Sequence, residues 1–495
     1  MHIRGKAVLR LKETLKELDY KGIFRYFSEI SKIPRESGNE KEISDYLVSF
    51  AEKNQLEYTQ DSANNVIIIK EATPGYEEEP AIILQGHMDM VCEKVKEDTH
   101  DFSKDGIKLI VDGDFIKADG TTLGADNGIA VAYILALFSD KSLSHPRLEA
   151  VITTDEEVGM RGAKALDLSS LKAKYMINLD SEEEGYLLAS CAGGLSGISS
   201  LPIKRVHESG IKLSVSIGGL KGGHSGMDIV KNRTNAIKLM GRLIFDLIQT
   251  YQFGLIDMSG GFKDNVIPRE AKAELIISED DLNGIKNKIV EIMDVYKKEL
   301  LSSEPELKYE IEDLGQEETK VLHPISLEKV LFLLVNMPNG VQVMSSDIEG
   351  LVESSLNLGI FRLEEDKVVY CNSVRSSKSS YKHYISDRLN YMVSLFGGKY
   401  DVKSEYPAWE YKKESTLRNH LQKIYESIYN KKMKVEAIHA GLECGIIYEK
   451  IPGIDIVSIG PDMFRVHTVD EKVSISSTIR VYKFIEKALQ EKIRD

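Results

Sequence analysis

Apolar residues recur at helical spacing in Ile23-Phe24-Tyr26-Phe27-Ile30 and again in Ile43-Tyr46-Leu47-Phe50, which predicts two amphipathic helices before about Leu56. Between them Ile33-Pro-Arg-Glu-Ser-Gly38 breaks the rhythm, and Ser37 to Glu40 carries helix-start chemistry. From Asn65 the pattern changes to short β-branched runs: Val66-Ile-Ile-Ile69, Ala81-Ile-Ile-Leu84, Leu109-Ile-Val111, Ala150-Val-Ile-Thr153 and Tyr175-Met-Ile-Asn-Leu179. Strands that are apolar without alternation are buried on both faces, so a parallel or mixed sheet under helices is expected, with Ile129 to Leu137 as one covering helix.

The glycine-rich run Cys191-Ala-Gly-Gly-Leu-Ser-Gly197 reads as the exit from this α/β body. Beyond it, to about Tyr406, β runs such as Ile211 to Ile217 alternate with amphipathic helices at Ala236 to Ile248 and Leu282 to Leu300. Leu213 to Ile217 and Val368 to Val374 each precede a helix, a weak sign of two related α+β halves. The first rhythm resumes from Leu417, with Ile454 to Ile459 as another buried strand. The expected layout is a catalytic α/β domain with a mixed sheet (residues 1–192 and 407–495), interrupted by a large α+β lid domain (193–406), with a cleft between the two bodies.

A chain of 495 residues is long enough for two such cores. The formal charge of −14, without a concentrated basic stripe, argues against nucleic acid as the main partner and suits a protein that holds cations. Cys92, Cys191, Cys371 and Cys444 are scattered, so neither a thiolate zinc site nor a disulfide framework is indicated and reduced thiols are expected. The first ten residues carry charge where a secretion signal needs an apolar core, and no run reads as a membrane span. A cytoplasmic location with no membrane partner is the expectation.

The chemistry gathers at the ends of predicted strands, where open α/β sheets place ligands. His87 and Asp89 follow the run ending at Leu84 and lie one pleat repeat apart, so both leave the same face of an extended backbone. Asp126 stands in the glycine-rich loop Asp119 to Gly128, which by itself suggests only a turn and helix cap. Glu156 and Glu157 follow the strand ending at Thr153; adjacent carboxylates repel, so their place is costly unless a cation or proton compensates or one of them faces water. Asp180 comes directly off the strand ending at Leu179, whereas Glu182 to Glu184 read as a solvated charge run. His467 lies in the late loop Phe464 to Glu471.

His87, Asp126, Glu157, Asp180 and His467 are thus the candidate ligands. Imidazoles and carboxylates without thiolate suit zinc, manganese or cobalt in a catalytic site better than a structural zinc. One His for each of two metals, with one carboxylate bridging them, is the economical arrangement. It would lower the pKa of a bridging water, and the remaining carboxylate of the Glu156-Glu157 pair could take its proton. The chemistry this points to is metal-assisted hydrolysis of an amide.

His87-Met-Asp89, Gly124 to Gly128, Asp155 to Gly159, Asn178-Leu-Asp180 and the late His467 resemble the ordered motifs of the aminoacylase/carboxypeptidase type of co-catalytic zinc peptidases. Gly86 to Val91, Gly219 to Gly226 and His439 to Gly445 are similar to motifs of its Xaa-His dipeptidase branch, and the resemblance covers nearly the whole chain. It implies two zinc ions per subunit, with cobalt or manganese as possible substitutes. Asp126 would bridge them, His87 and Asp180 would hold one, and Glu157 and His467 the other. It further implies Glu156 as general base, Asp89 as the group orienting His87, and a cis peptide after Asp126. His224 would polarise the scissile carbonyl, and Asn265 and Arg375 would hold the substrate and its terminal carboxylate, for which the planar guanidinium is suited.

His439 competes with His467 for the last ligand place; the family pattern favours His467 and leaves Gly441 as a backbone contact to substrate. An exposed His439 or Glu443 without a role is the alternative reading. The resemblance implies a dipeptide substrate and a homodimer formed through the inserted domain. Three other functions remain open: a tripeptidase, an N-acyl amino acid deacylase, and a non-catalytic metal or peptide binder on the same fold.

Overall fold

The structure is a computed structural model and describes residues 18–494; the charged N-terminal run read above lies outside them. Two compact units emerge. Of the described residues, the first comprises those up to Ser190, Tyr411–Ala437 and those from Leu442; the second comprises Cys191–Glu410 and the short segment Ile438–Gly441. Among the described residues no helix is long and apolar enough to cross a membrane.

The first unit is built on an eight-stranded mixed sheet. At its centre Leu148–Thr153, Ile82–His87, Tyr175–Asn178 and Asp455–Ser458 run parallel, while Glu57–Gln60 and Val66–Lys70 on one side and Tyr186–Cys191 on the other pair antiparallel. The near-continuous apolar runs of these strands are buried on both faces, as the lack of alternation predicts. Helix Ala125–Ser139 is apolar all round because it is enclosed: it packs on Ile82–His87 and against helices Ile23–Ile30 and Ile475–Gln490. Its entry passes so close to the strand that a methyl on Gly86 would stand 2.4 Å from Asn127 Oδ1 and 2.6 Å from Ala130 Cβ, so only glycine fits there.

Two local expectations need correction. Ser37 does not cap the helix Lys41–Lys53; its hydroxyl donates to Asp89 Oδ2 at 2.8 Å, and no side-chain cap forms at Glu40. Leu109–Asp112 does not join the main sheet. It pairs with Phe115–Ala118, and through it with Lys472–Ser474 and Met463–Phe464, in a separate four-stranded sheet. Half-exposed and only four residues long, this strand lacks the two-sided burial of the central ones. The small sheet ties the late segment around His467 to the chain leading into the Asp126 loop.

The second unit is α+β. Its nine-stranded sheet is antiparallel throughout, in the order Lys308–Leu322, Arg205–Gly218, Ala271–Ile277, Gly254–Gly260, Val352–Leu363, Lys367–Ser376, Gly193–Pro202 and Lys399–Tyr406, with Gly340–Met344 also paired to Val352–Leu363. Leu213, Val215 and Ile217 meet the apolar faces of helices Ala236–Ile248, Leu282–Glu299, Pro324–Asn336 and Ser379–Leu395 in one core. The glycine run at Cys191–Gly197, expected as the exit from the first body, opens the second unit, and Gly193–Pro202 is a strand between two partners. Its glycines are required by crowding, since a methyl on Gly194 or Gly197 would fall within 2.4 Å of the Tyr406 or Tyr400 hydroxyl.

Candidate metal centre and substrate pocket

Parallel pairing puts the carboxyl ends of three strands side by side. His87 ends its strand in register with Thr153, and Gln85 is in register with Asn178. The residues just beyond those ends, His87, Glu156, Glu157 and Asp180, are therefore delivered to one edge of the sheet. Asn127 joins them: its Oδ1 accepts from His87 N at 3.2 Å and its Nδ2 donates to Leu179 O at 3.0 Å. The peptide bond between Asp126 and Asn127 is cis.

All five candidate ligands are linked by side-chain contacts. His87 Nε2 lies 3.1 Å from Asp126 Oδ1 and 3.5 Å from Asp180 Oδ1. His467 Nε2 lies 3.0 Å from both Asp126 Oδ2 and Glu157 Oε1. The two oxygens of Asp126 thus face different imidazoles, and ligand atoms of His87, Asp126 and Glu157 fall within 4.8 Å of one another. His439, weighed against His467 for the last place, groups with the second unit, where its Nε2 is 2.7 Å from Ser355 Oγ.

Asp89 touches more than the sequence suggests. Its Oδ1 stands 3.3 Å from His87 Nδ1 and accepts the Glu156 N–H at 3.1 Å, while Oδ2 accepts the Glu157 N–H at 3.3 Å. One buried carboxylate therefore fixes both the imidazole and the turn bearing the paired glutamates. The loop of Asp126 is held just as firmly. Glu471 accepts the N–H groups of Leu123, Gly124, Ala125 and Asp126 at 2.8 to 3.4 Å. Arg35 donates to the carbonyls of Met88 and Gly124 at 3.0 and 2.5 Å.

The electrostatics are those of crowded acid. Burial raises the pKa of Glu156 well above the ordinary carboxylate value, and Asp180, Glu443 and Glu157 push it further. Burial also lifts Asp180 to about 6. His467 is pushed up to about 11 by its hydrogen bonds to Asp126 and Glu157. For His87 desolvation favours the neutral ring, but Asp180 and Asp126 outweigh it and the pKa is raised. Glu443 is not exposed: it accepts from Gln85 Nε2 and Thr153 Oγ1, both at 2.6 Å, and burial raises it to about 7.

The predicted substrate residues lie in the second unit. Strand Gly223–His224 pairs with Val266–Ile267, and Ser225 N donates to Asn265 O at 2.9 Å, which sets His224 and Asn265 on adjoining segments. The Nδ1 of His224 accepts from the N–H groups of Gly226 and Met227, both at 3.2 Å. That selects the tautomer with the proton on Nε2, leaving Nε2–H free to donate. Desolvation, then the charge of Arg375, lowers the His224 pKa, and the same two causes take His439 down to about 3. Arg375, on the strand Lys367–Ser376, is 7% exposed and has no carboxylate within ion-pair distance among the described residues. Gly441 packs against the ring of Tyr406.

Sequence reasoning missed Glu471, Arg35, Gln85, Thr153 and Tyr406. Glu471 and Arg35 stand inside runs singled out above, four residues after His467 and two before Ser37, but nothing local shows that a carboxylate or guanidinium will reach main chain so distant in sequence.

Residues 83–491 match the peptidase family M20/M25/M40. The cytosol non-specific dipeptidase of Escherichia coli (strain K12) is 35% identical over 480 residues, which cover 96% of this chain and 99% of that protein. Among solved structures, the aminoacylhistidine dipeptidase from Vibrio alginolyticus aligns with a TM-score of 0.90 at 34% identity, covering 96% of this chain and 99% of the other. Aminopeptidase PepT from Bacillus cereus, at 17% identity and a TM-score of 0.55 over 96% and 100% of the two chains, shares the fold.

Proposed function

Because the chain belongs to peptidase family M20/M25/M40, we infer that it hydrolyses dipeptides, Xaa-His dipeptides among them, with two divalent cations, zinc in the first place, at the Asp126 cluster. The observation that carries this reading is the Asp126 carboxylate, whose two oxygens face His87 and His467. Three carboxylates and two imidazoles, partly buried together and without a thiolate, form a donor set that fits hard or borderline cations. Asp126 would be shared by both ions, His87 and Asp180 would complete one site, and Glu157 and His467 the other. When bound, such ions act as Lewis acids and make a water molecule acidic enough to supply hydroxide near neutral pH.

The chain's own groups divide the remaining work. Glu156, whose raised pKa suits a carboxylate that must take a proton and later release it, accepts the proton of the attacking water and passes it to the leaving amine. Asp89 holds the orientation of His87 and of the Glu156 turn. The Nε2–H of His224 donates to the oxyanion that develops on the scissile carbonyl. Asn265, Arg375 and the backbone of Gly441 hold the substrate, with the guanidinium on its terminal carboxylate. The protein works as a cytoplasmic homodimer in this reading, supported by the cytosolic relative and the resemblance of the motifs. The second unit serves as its substrate-binding lid, over about the expected residues 193–406.

A panel assay tests the function. Metal-stripped protein reconstituted with zinc, cobalt or manganese should release free amino acids from dipeptides, including β-alanyl-histidine, faster than from tripeptides or N-acetyl amino acids. Faster turnover of the latter would make it a tripeptidase or deacylase. Dipeptide binding without cleavage by any metal-loaded form would make it a binding protein.

A further inference from the structure

The buried guanidinium of Arg375 is held through one group that no motif marks. Its Nη1 donates to the hydroxyl of Tyr406 at 3.0 Å, and its Nε is buried without a partner among the described residues. Since Nη1 lies on the Cδ side of the fork, away from the Nε–H bond, its bond to Tyr406 leaves uncommitted the side-on edge formed by Nε and Nη2, the edge that can pair with a carboxylate through two parallel hydrogen bonds. Tyr406 is itself fixed on several sides. It ends the strand Lys399–Tyr406, and its carbonyl accepts from Lys382 Nζ at 2.9 Å. A methyl on Gly441 would lie 2.7 Å from its ring, and one on Gly194 would lie 2.4 Å from its hydroxyl. The strand partner of Arg375 is Gly194 itself. Glycine at both positions makes room for this ring.

We propose that Tyr406 is a positioning residue that sets the orientation of the Arg375 fork, and so determines the preference for substrates ending in a free carboxylate. The slot of Gly194 and Gly441 exists to seat it. The inference rests on the reading of Arg375 as the carboxylate-binding group. Without the hydroxyl, Nη1 loses its anchor and the guanidinium can turn about its side-chain bonds, so part of the bidentate geometry is lost each time substrate binds. The reacting atoms are untouched, and the effect belongs in binding rather than in turnover.

The test compares a dipeptide with its C-terminal amide in steady-state kinetics of the zinc-loaded enzyme. In Tyr406→Phe the KM for the dipeptide should rise about tenfold, equivalent to about 1.4 kcal/mol, with kcat within about twofold and the amide unaffected. Gly441→Ala, which crowds the ring, should raise the same KM, and combining it with Tyr406→Phe should add little. Arg375→Ala serves as the reference and should abolish discrimination between acid and amide. If Arg375→Ala keeps full discrimination, the reading of Arg375 falls and this inference with it. If Arg375→Ala loses discrimination while Tyr406→Phe keeps the parental KM, only the role of Tyr406 is wrong. A fall in kcat for acid and amide alike in Tyr406→Phe would mark a general structural role and likewise overturn the proposal.

Discussion

In the first unit the charged groups of the site are gripped by main chain: Asp89 by the N–H groups of Glu156 and Glu157, and Glu471 by those of residues 123 to 126. In the second unit Arg375 has one side-chain hydrogen-bond partner among the described residues, Tyr406, and the pKa of each of its two neighbouring imidazoles is lowered, which favours the neutral ring. The difference lies in which charge is left uncompensated. Carboxylates are buried together in the first unit, and burial, reinforced by neighbouring acids, raises the pKa of Glu156 and of Asp180, a cost that bound cations would offset. The second holds an isolated buried cation, which an anionic ligand would relieve. In the proposed reading one region binds metal and the other binds the substrate's acid group, and the charge balance of each region favours that ligand.

The largest expected effect breaks the first half of this comparison. Glu156→Ala should lower kcat by about 10³-fold, in the range for loss of a positioned general base, while metal content measured by atomic emission stays at the parental stoichiometry. Loss of metal instead would exchange the roles of Glu156 and Glu157. Next comes Glu471→Gln, which places an amide NH2 against backbone N–H groups that now share one carboxylate. A loss of about 3 kcal/mol in unfolding free energy is expected, because buried donors are left unpaired. Zinc affinity, read by competition with a chromophoric chelator, should fall about tenfold or more through displacement of Asp126. Unchanged zinc affinity in a destabilised variant would show that the Asp126 loop keeps its shape without the clamp.

These clamps mark the boundary of what could be read from sequence. The parallel strands were legible because two-sided burial leaves continuous apolar runs such as Ile82 to Leu84, and the acids stood out because they follow such runs directly. The helix Ala236–Ile248 was legible from its period alone. Three features were not. Ser37 has the residue type of a helix cap but finds a stronger acceptor in Asp89. Gly193, Gly194 and Gly197 do not announce a strand, because their reason for being glycine, close approach of the Tyr406 and Tyr400 segments, comes from a strand some 200 residues later. Ile438–Gly441 groups with the second unit although the chain on both sides belongs to the first, which no local pattern announces. In each case the deciding contact is distant in sequence.

The smallest expected effect separates the two regions by pH. His439 is almost fully buried, and its pKa is pushed down from the ordinary 6.5 to about 3, first by desolvation and then by Arg375. The unfolded chain takes up a proton at this histidine below its ordinary pKa, whereas the folded protein does not, so the proton favours unfolding. Stability from this group is therefore present above about pH 6.5 and is lost progressively as pH falls toward about 3. By pH 5.5 the loss amounts to about 1.4 kcal/mol. In metal-free protein His467 has the opposite sign: its pKa is raised to about 11, so its contribution is complete below its ordinary value and disappears only as pH rises toward 11. Denaturant unfolding of metal-free His439→Gln should accordingly show a shallower decline in stability between pH 6.5 and 5.5 than the parent. His467→Gln should leave that decline no shallower. If the two variants flatten it equally, burial beside Arg375 does not hold His439 neutral in the folded protein, and the contrast between an acid-rich first unit and a cation-centred second unit loses its electrostatic basis.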